Sequence, residues 1–337
     1  MKTIKFIYLL VGCGLLVYVF SETDLKLLWS NLIKTGWGIF FVLLIYGFAF
    51  WVDTIAWQFT LPSTRFNWMY RLWKVRMVGA AFGKVLPFSA FGGAPIKGFL
   101  LKKHYGISYR EGAASIILIE STHLISMIIF MASGVFLISL MPDFPKSYIT
   151  FSKISLGVLS LGIFGFYIVQ RYKLTSVIGN WFSQMAIGHR VKKFLSHIEE
   201  FDERLVHFYT LKRQLFFGAL GLNLLNWYLG AVEIYIIFYF LGHPISIAES
   251  IILETFVEIV RAGTFFIPGT LGTQEAAFLL ATGAITGEPA LGLAAALMRR
   301  VREIIWFILG FSLGWQYSGN PSKIPQTAQN EMRNDKD

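Results

Sequence analysis

The chain has 337 residues, of which 55% are hydrophobic and only 15% are charged, and its mean hydropathy is +0.57. A soluble globular domain carries about 25% charged residues, so this composition excludes most soluble folds and predicts an all-α polytopic membrane protein. The formal net charge of +10 fits nucleic-acid binding, anionic-lipid binding or basic residues concentrated in cytoplasmic loops.

The first predicted helix covers about residues 4 to 20 and follows Lys2 and Lys5. Its apolar run continues past Cys13, so we interpret it as an uncleaved membrane helix that starts in the cytoplasm. Residues 25 to 33 repeat apolar side chains at helical spacing, which predicts a helix on the membrane surface. The run from about 36 to 58 has the roughly 20 residues that a bilayer crossing requires.

The next apolar segment, from about 77 to 100, is broken by proline and glycine. Basic residues lie both before and after it, so a full crossing would place one basic group outside, against the positive-inside bias. We therefore predict a re-entrant hairpin that enters and leaves the membrane on the cytoplasmic side. Its interruptions and charged residues are Lys84, Pro87, Gly92, Gly93 and Lys97.

The rest of the chain predicts four more spanning helices and a second broken segment. The spanning helices cover about 112 to 140, 153 to 170, 214 to 241 and 289 to 316, and a second surface helix covers about 177 to 209. The broken segment, about 250 to 284, contains Pro268, Gly269 and Gly272. Together these elements predict about six crossings, a single membrane domain over residues 1 to 317, and a disordered cytoplasmic tail over 318 to 337.

This topology places both termini and most basic residues on the cytoplasmic side. The net charge is then mainly an orientation signal, and nucleic acid is excluded as a partner. Proline and glycine recur in both broken segments, which is compatible with inverted repeats around a transport site. The alternative is that both breaks are packing kinks. One cysteine and six unpaired histidines predict no disulfide, no metal site and no cofactor.

Ionisable side chains within the predicted membrane segments are candidates for function, because each costs about 2.5 to 3.5 kcal/mol to insert. Spacing places Glu254, Glu258 and Arg261 on one helix face, and it places Arg299 and Glu303 one turn apart. The candidates for headgroup binding are Lys84, Lys97, Arg261, Arg299 and Arg302. The candidates for orienting them or accepting a proton are Glu120, Glu254, Glu258, Glu275 and Glu303. An internal ion-pair network, a lipid-phosphate site and a mixed role all remain open.

Two stretches carry a family resemblance. Residues 266 to 277 (FIPGTLGTQEAA) and 298 to 303 (MRRVRE) resemble the signature of the flippase-like membrane domain of lysylphosphatidylglycerol synthases, in its stand-alone branch associated with hopanoid biosynthesis. Residues 85 to 93 and Glu120 are similar to the family's first motif and its following helix, although Ala94 stands where the family often has an acid. The resemblance covers about residues 5 to 317. It implies a domain that moves, or helps to move, a lipid between leaflets.

The leading hypothesis is a protein of the cytoplasmic (inner) membrane that translocates or handles an anionic lipid or lipid-linked intermediate. Membrane lipids are its expected ligands, and Pro87, Gly92, Gly93, Pro268, Gly269 and Gly272 would shape its cavity. Only a short tail follows the last helix, so we expect no lysyl transfer, no enzymatic activity and no catalytic residue. One alternative is an intramembrane enzyme that uses Glu120 and His123. Another is a scaffold for enzymes of envelope-lipid biosynthesis that moves nothing itself.

Overall fold

The computed structural model describes residues 35–61, 69–83, 93–141, 144–172, 212–265 and 272–318, together with residues 33, 206, 208, 210 and 270. These residues form nine α-helices and no strand, which confirms the predicted all-α class. The helices are α1 (Gly38–Thr60), α2 (Met69–Gly83), α3 (Ala94–Tyr105), α4 (Tyr109–Leu140), α5 (Lys146–Arg171), α6 (Arg213–Phe240), α7 (Ile247–Gly263), α8 (Thr273–Thr286) and α9 (Pro289–Ser318).

Four of these helices are long and apolar enough to cross a bilayer, namely α1, α4, α5 and α6. They match the predicted spans at about 36 to 58, 112 to 140, 153 to 170 and 214 to 241. Helix α9 has 30 residues but also carries four charged side chains in its middle. The number of crossings stays a prediction. The expected helices at 4 to 20, 25 to 33 and 177 to 209 lie outside the described residues, apart from isolated positions, as does nearly all of the expected tail.

Local sequence signals account for where two of the helices begin. Helix α4 starts with a capping box, in which the Glu111 backbone N–H donates to Ser108 Oγ at 3.2 Å and the carboxylate accepts from the Ser108 N–H at 3.3 Å. Helix α7 repeats this arrangement with Ser246 and Glu249. Such boxes satisfy backbone donors that have no partner within the helix.

The bundle has two main apolar cores. The first lies among the four helices α1, α2, α3 and α4 and includes Trp57, Leu72, Leu101 and Ile119. The second lies among α6, α7, α8, α9 and the start of α1. Its buried side chains include Ile234, Phe238, Leu253, Phe278 and Met298. Helix α6 packs along α1, and α9 packs against both α2 and α8. Each core therefore includes the two helices that flank one of the breaks.

In each broken segment two helices flank the proline and glycine positions. Helix α2 ends at Gly83 and α3 begins at Ala94, while α7 ends at Gly263 and α8 begins at Thr273. Most of the residues between the paired helices lie outside the described residues, so the interruption of helical structure by proline and glycine stays a prediction. Whether either segment is re-entrant, and whether the two are inverted repeats, stays a prediction.

Helix α5 presents an apolar surface outward. Ile154, Val158, Leu161 and Phe164 are all exposed, and they come from a helix that packs mainly against α4. An apolar exposed helix of this length suits a lipid environment, where no water competes for its surface.

Candidate functional site

The buried ionisable residues of the described chain gather into two groups. The first, called here the Lys97 cluster, lies among α1 to α4 and contains Asp53, Arg76, Lys97 and Glu120. The second, called here the arginine cluster, lies among α6 to α9. Its members are Glu233, Glu254, Glu258, Arg261, Glu275, Arg299, Arg300, Arg302 and Glu303.

The Lys97 cluster centres on an ion pair between α3 and α4. The ammonium Nζ of Lys97 lies 3.1 Å from Glu120 Oε1 and 5.8 Å from the centre of the Trp57 ring. The lysine side chain is only 9% exposed, whereas the Glu120 side chain is 32% exposed. The pair therefore has a buried cation and a carboxylate that reaches the surface of the protein.

Glu120 lies well inside a spanning helix. It follows the first residue of α4, Tyr109, by 11 positions, which at 1.5 Å per residue is about 16 Å along the helix. A carboxylate at membrane depth is strongly disfavoured in hydrocarbon and faces either a partner or a wet cavity. Lys97 supplies such a partner for Glu120, whose side chain is still 32% exposed.

A second ion pair of the same cluster joins α1 to α2. The guanidinium of Arg76 contacts the carboxylate of Asp53, and it lies 5.8 Å from the Phe50 ring centre. Arg76 is one of the basic residues directly before the first broken segment, which were expected to lie on the cytoplasmic side. The structure instead places it in the bundle as the partner of a buried aspartate, a contact that its sequence neighbours do not reveal.

In the arginine cluster, Arg299 ties α9 to α6 and α7. Its Nη2 lies 2.7 Å from Glu254 Oε2 and donates to the Gly230 carbonyl oxygen at 3.1 Å. Its Nε lies 3.6 Å from Glu233 Oε1. Its carboxylate partners thus come from other helices, and the spacing of one turn between Arg299 and Glu303 does not produce a pair.

Arg302 extends this arrangement toward α1. Its guanidinium contacts Glu233, lies 3.7 Å from Glu303 Oε1 and stands 3.9 Å from the centre of the Tyr46 ring. Glu233 therefore lies between Arg299 and Arg302, and it is itself almost completely buried. Carboxylate and aromatic contacts of this kind offset the cost of burying a guanidinium.

Arg300 points toward α8 and the break that precedes it. Its Nε donates to Glu275 Oε1 at 2.7 Å and its Nη2 to Glu275 Oε2 at 3.2 Å, a bidentate pair. The same Nη2 lies 3.2 Å from the Thr270 carbonyl oxygen, and Nη1 donates to Glu303 Oε2 at 3.0 Å. Arg300 therefore contacts two carboxylates and one backbone carbonyl oxygen.

The remaining pair of the arginine cluster lies at its edge. Arg261 contacts Glu258, three residues earlier on α7. The Arg261 side chain is 30% exposed, in contrast to those of Arg299 and Arg300, which are each 3% exposed. Within the described residues, the arginine cluster therefore combines a buried ion-pair network with one partly exposed guanidinium.

The predicted site residues divide between these positions. Lys97 and Glu120 form one pair, while Arg261, Arg299, Arg302, Glu254, Glu258, Glu275 and Glu303 all belong to the arginine cluster. Gly93 caps α3 and Gly272 precedes α8. Lys84, Pro87, Gly92, Pro268 and Gly269 lie outside the described residues.

Asp53, Glu233 and Arg300 lie in predicted membrane segments but were given no role among the predicted site residues, and Arg76 was expected in a cytoplasmic loop. Glu233 is a lone acid in an apolar run, so helical spacing offers it no local partner. Its unpaired position was itself a signal, because a lone carboxylate in a spanning helix requires a partner from another helix. His123, the proposed acid–base partner of Glu120, stacks its ring 4.7 Å from that of Trp227.

Comparison with known proteins assigns the chain to a family. The family described as the lysylphosphatidylglycerol synthase TM region matches residues 5–311, which is most of the chain and includes both clusters. The search of curated proteins and the search of solved structures found no match. The more specific likeness to the hopanoid-associated branch stays a prediction. By the extent of the match, the chain belongs to the family of the lysylphosphatidylglycerol synthase TM region.

Proposed function

We propose that this chain moves an anionic lipid, or a lipid-linked intermediate with an anionic group, between the leaflets of the cytoplasmic membrane. Its family and its apolar helices make it a multi-pass membrane protein with a lipid-related function. The proposal adds translocation, the class of lipid and the inner membrane with both termini in the cytoplasm. It assigns the chain no chemical step, no catalytic residue and no cofactor.

One observation carries the proposal. Glu120 lies far inside α4, its partner Lys97 lies near the start of α3, next to the break between α2 and α3, and the Glu120 side chain is 32% exposed. A protein that only fills the membrane has no need for a partly exposed charge at this depth, because each such group is costly. A protein that carries a polar headgroup across the hydrocarbon needs such charges, since they replace the water that the headgroup loses.

The geometry supports different roles for the basic residues. Lys97 and Arg261 belong to ion pairs with an exposed member, so an incoming phosphate can compete for them. Arg299 and Arg302 are engaged by carboxylates inside the bundle, so we propose that they hold its helices together. Once the headgroup has left, Lys97 would pair again with Glu120, and Arg261 with Glu258.

A reconstituted assay tests this proposal. The purified protein would be placed in liposomes with fluorescent phosphatidylglycerol, and a membrane-impermeant quencher would report how fast the label changes leaflet. Lys97→Gln is expected to slow this movement by roughly tenfold, the effect of losing one charge-assisted contact of about 1.4 kcal/mol. Lys102→Gln is the matched control, because Lys102 lies on the same helix and is exposed.

The same preparation separates the proposal from its alternatives. Equal rates for the wild type, Lys97→Gln and Lys102→Gln would remove Lys97 from the translocation path. New lipid species in the mass spectrum after incubation would instead favour an intramembrane enzyme. A scaffold would move no lipid and would co-purify with enzymes of envelope-lipid synthesis.

A further inference from the structure

The break between α7 and α8 has an unusual backbone. Thr270 has a φ of +50°, and it is the one non-glycine residue with positive φ in the described part of the chain. Such a conformation is uncommon for any non-glycine residue and a clear outlier for a β-branched one. Gly272, two residues later, has a φ of +78°. A strained backbone of this kind persists only when surrounding contacts hold it.

Two side chains hold the carbonyl oxygen of Thr270. Thr273 Oγ1 donates to it at 3.1 Å, and Arg300 Nη2 donates to it at 3.2 Å. A carbonyl oxygen has two lone pairs, so these two donors satisfy it. Thr264 Oγ1, at the end of α7, lies 3.2 Å from Thr273 Oγ1, which brings the two edges of the break together.

Arg300 is itself fixed by carboxylates. Its bidentate contact with Glu275 links α9 to the first turn of α8, and its contact with Glu303 fixes the guanidinium from its own helix. Only a guanidinium has the planar set of donors that can meet two carboxylates and a carbonyl at once. Arg300 therefore connects the strained backbone of the break to the body of α9.

We propose that Arg300 is the positioning residue of the α7–α8 break. It holds Thr270 at its positive φ, next to the first turn of α8, through the Thr270 carbonyl oxygen and the Glu275 carboxylate. Its loss would let the two edges of the break separate while the helices around it stay packed. The role in lipid movement rests on the proposed function, but the conformational effect does not and is measured separately.

Disulfide trapping across the break tests this inference. Cys13 is the single cysteine, so Cys13→Ser provides a background without thiols. Cysteines introduced by Thr264→Cys and Thr273→Cys replace two hydroxyl groups that lie 3.2 Å apart, and their cross-linking rate under mild oxidation reports how often the edges meet. We expect Arg300→Gln to lower this rate by roughly tenfold, because a contact of a charged donor is lost. Arg300→Lys keeps the positive charge but not the planar set of donors. Its cross-linking rate is expected to lie between those of the wild type and Arg300→Gln.

A second cysteine pair controls for folding. Asn223 Nδ2 donates to Thr122 Oγ1 at 2.9 Å between α6 and α4, two helices that carry neither Thr270, Glu275 nor Glu303. Cross-linking of Thr122→Cys with Asn223→Cys is expected to be unchanged by Arg300→Gln. An unchanged rate at 264 and 273 would overturn the inference, and so would an equal fall at both pairs, which would mean general unfolding.

Lipid movement by the same variants separates the two proposals. If Arg300→Gln opens the break but wild-type protein moves no lipid, the positioning role stands and the proposed function fails. If wild-type protein moves lipid and Arg300→Gln leaves the cross-linking rate unchanged, the proposed function stands and the positioning role fails.

Discussion

At the scale of single residues, the main finding is that each buried guanidinium has a carboxylate as its partner. In the described part of the arginine cluster, four guanidinium groups meet five carboxylates, and each guanidinium contacts at least one of them. Pairing of this kind offsets the large desolvation cost of each ion, although it does not by itself stabilise the fold. The network therefore specifies which helices face one another.

The strongest test at this scale is to remove one charge from the buried part of the network. Arg302→Met leaves Glu233 with a single partner in a buried site, and breaking a buried pair in this way costs about 3 to 5 kcal/mol. Arg261→Met should cost less than Arg302→Met, because the Arg261 side chain is 30% exposed, although its partner Glu258 is buried. Thermal unfolding in detergent measures both.

A double variant distinguishes a specific pair from lost packing. Arg302→Met with Glu233→Met replaces both ions by apolar groups, and it is expected to recover part of the stability lost by Arg302→Met alone. Additive losses would show that the two residues do not act as a pair.

At the scale of elements, the break between α2 and α3 depends on close backbone contact. A Cβ atom at Gly93 would press against the backbone carbonyl of Gly79 on α2, whereas a Cβ atom at Gly98 would meet nothing within 4 Å. Gly93 has an ordinary negative φ of −81°, so it is close packing, and not backbone conformation, that favours glycine there. This contact sets how closely α3, with Lys97, approaches α2.

Alanine substitutions at these two glycines are therefore expected to have opposite effects. Gly93→Ala should destabilise the protein by about 1 to 3 kcal/mol through overpacking and should slow lipid movement, because it shifts Lys97. Gly98→Ala should stabilise α3 by up to about 1 kcal/mol, since alanine favours helix over glycine. Equal unfolding temperatures for the two variants would contradict the proposed contact.

At the scale of the whole molecule, helix α1 runs between the two clusters. Tyr46, Phe50 and Asp53 are spaced four and three residues apart and so share one helix face. Tyr46 lies under Arg302, Phe50 stacks 5.5 Å from Trp306, and Asp53 contacts Arg76. One face of α1 therefore touches both clusters.

The residues also explain how far sequence analysis reaches in this protein. Helix positions follow from apolar runs and capping residues, because these signals act locally along the chain. Arg299 pairs with Glu233 and Glu254 from two other helices, and no spacing within α9 encodes those contacts. The positive φ of Thr270 likewise could not be predicted, because one of the two donors to its carbonyl oxygen, Arg300, lies 30 residues away in the chain.

Lipid movement by the protein itself is measured most directly in liposomes that contain only the purified wild-type chain, as the rate at which fluorescent phosphatidylglycerol changes leaflet. We expect this rate to rise in proportion to the number of protein molecules per liposome. A rate equal to that of protein-free liposomes, in a preparation whose Thr122→Cys/Asn223→Cys counterpart cross-links as expected for the folded bundle, would contradict it.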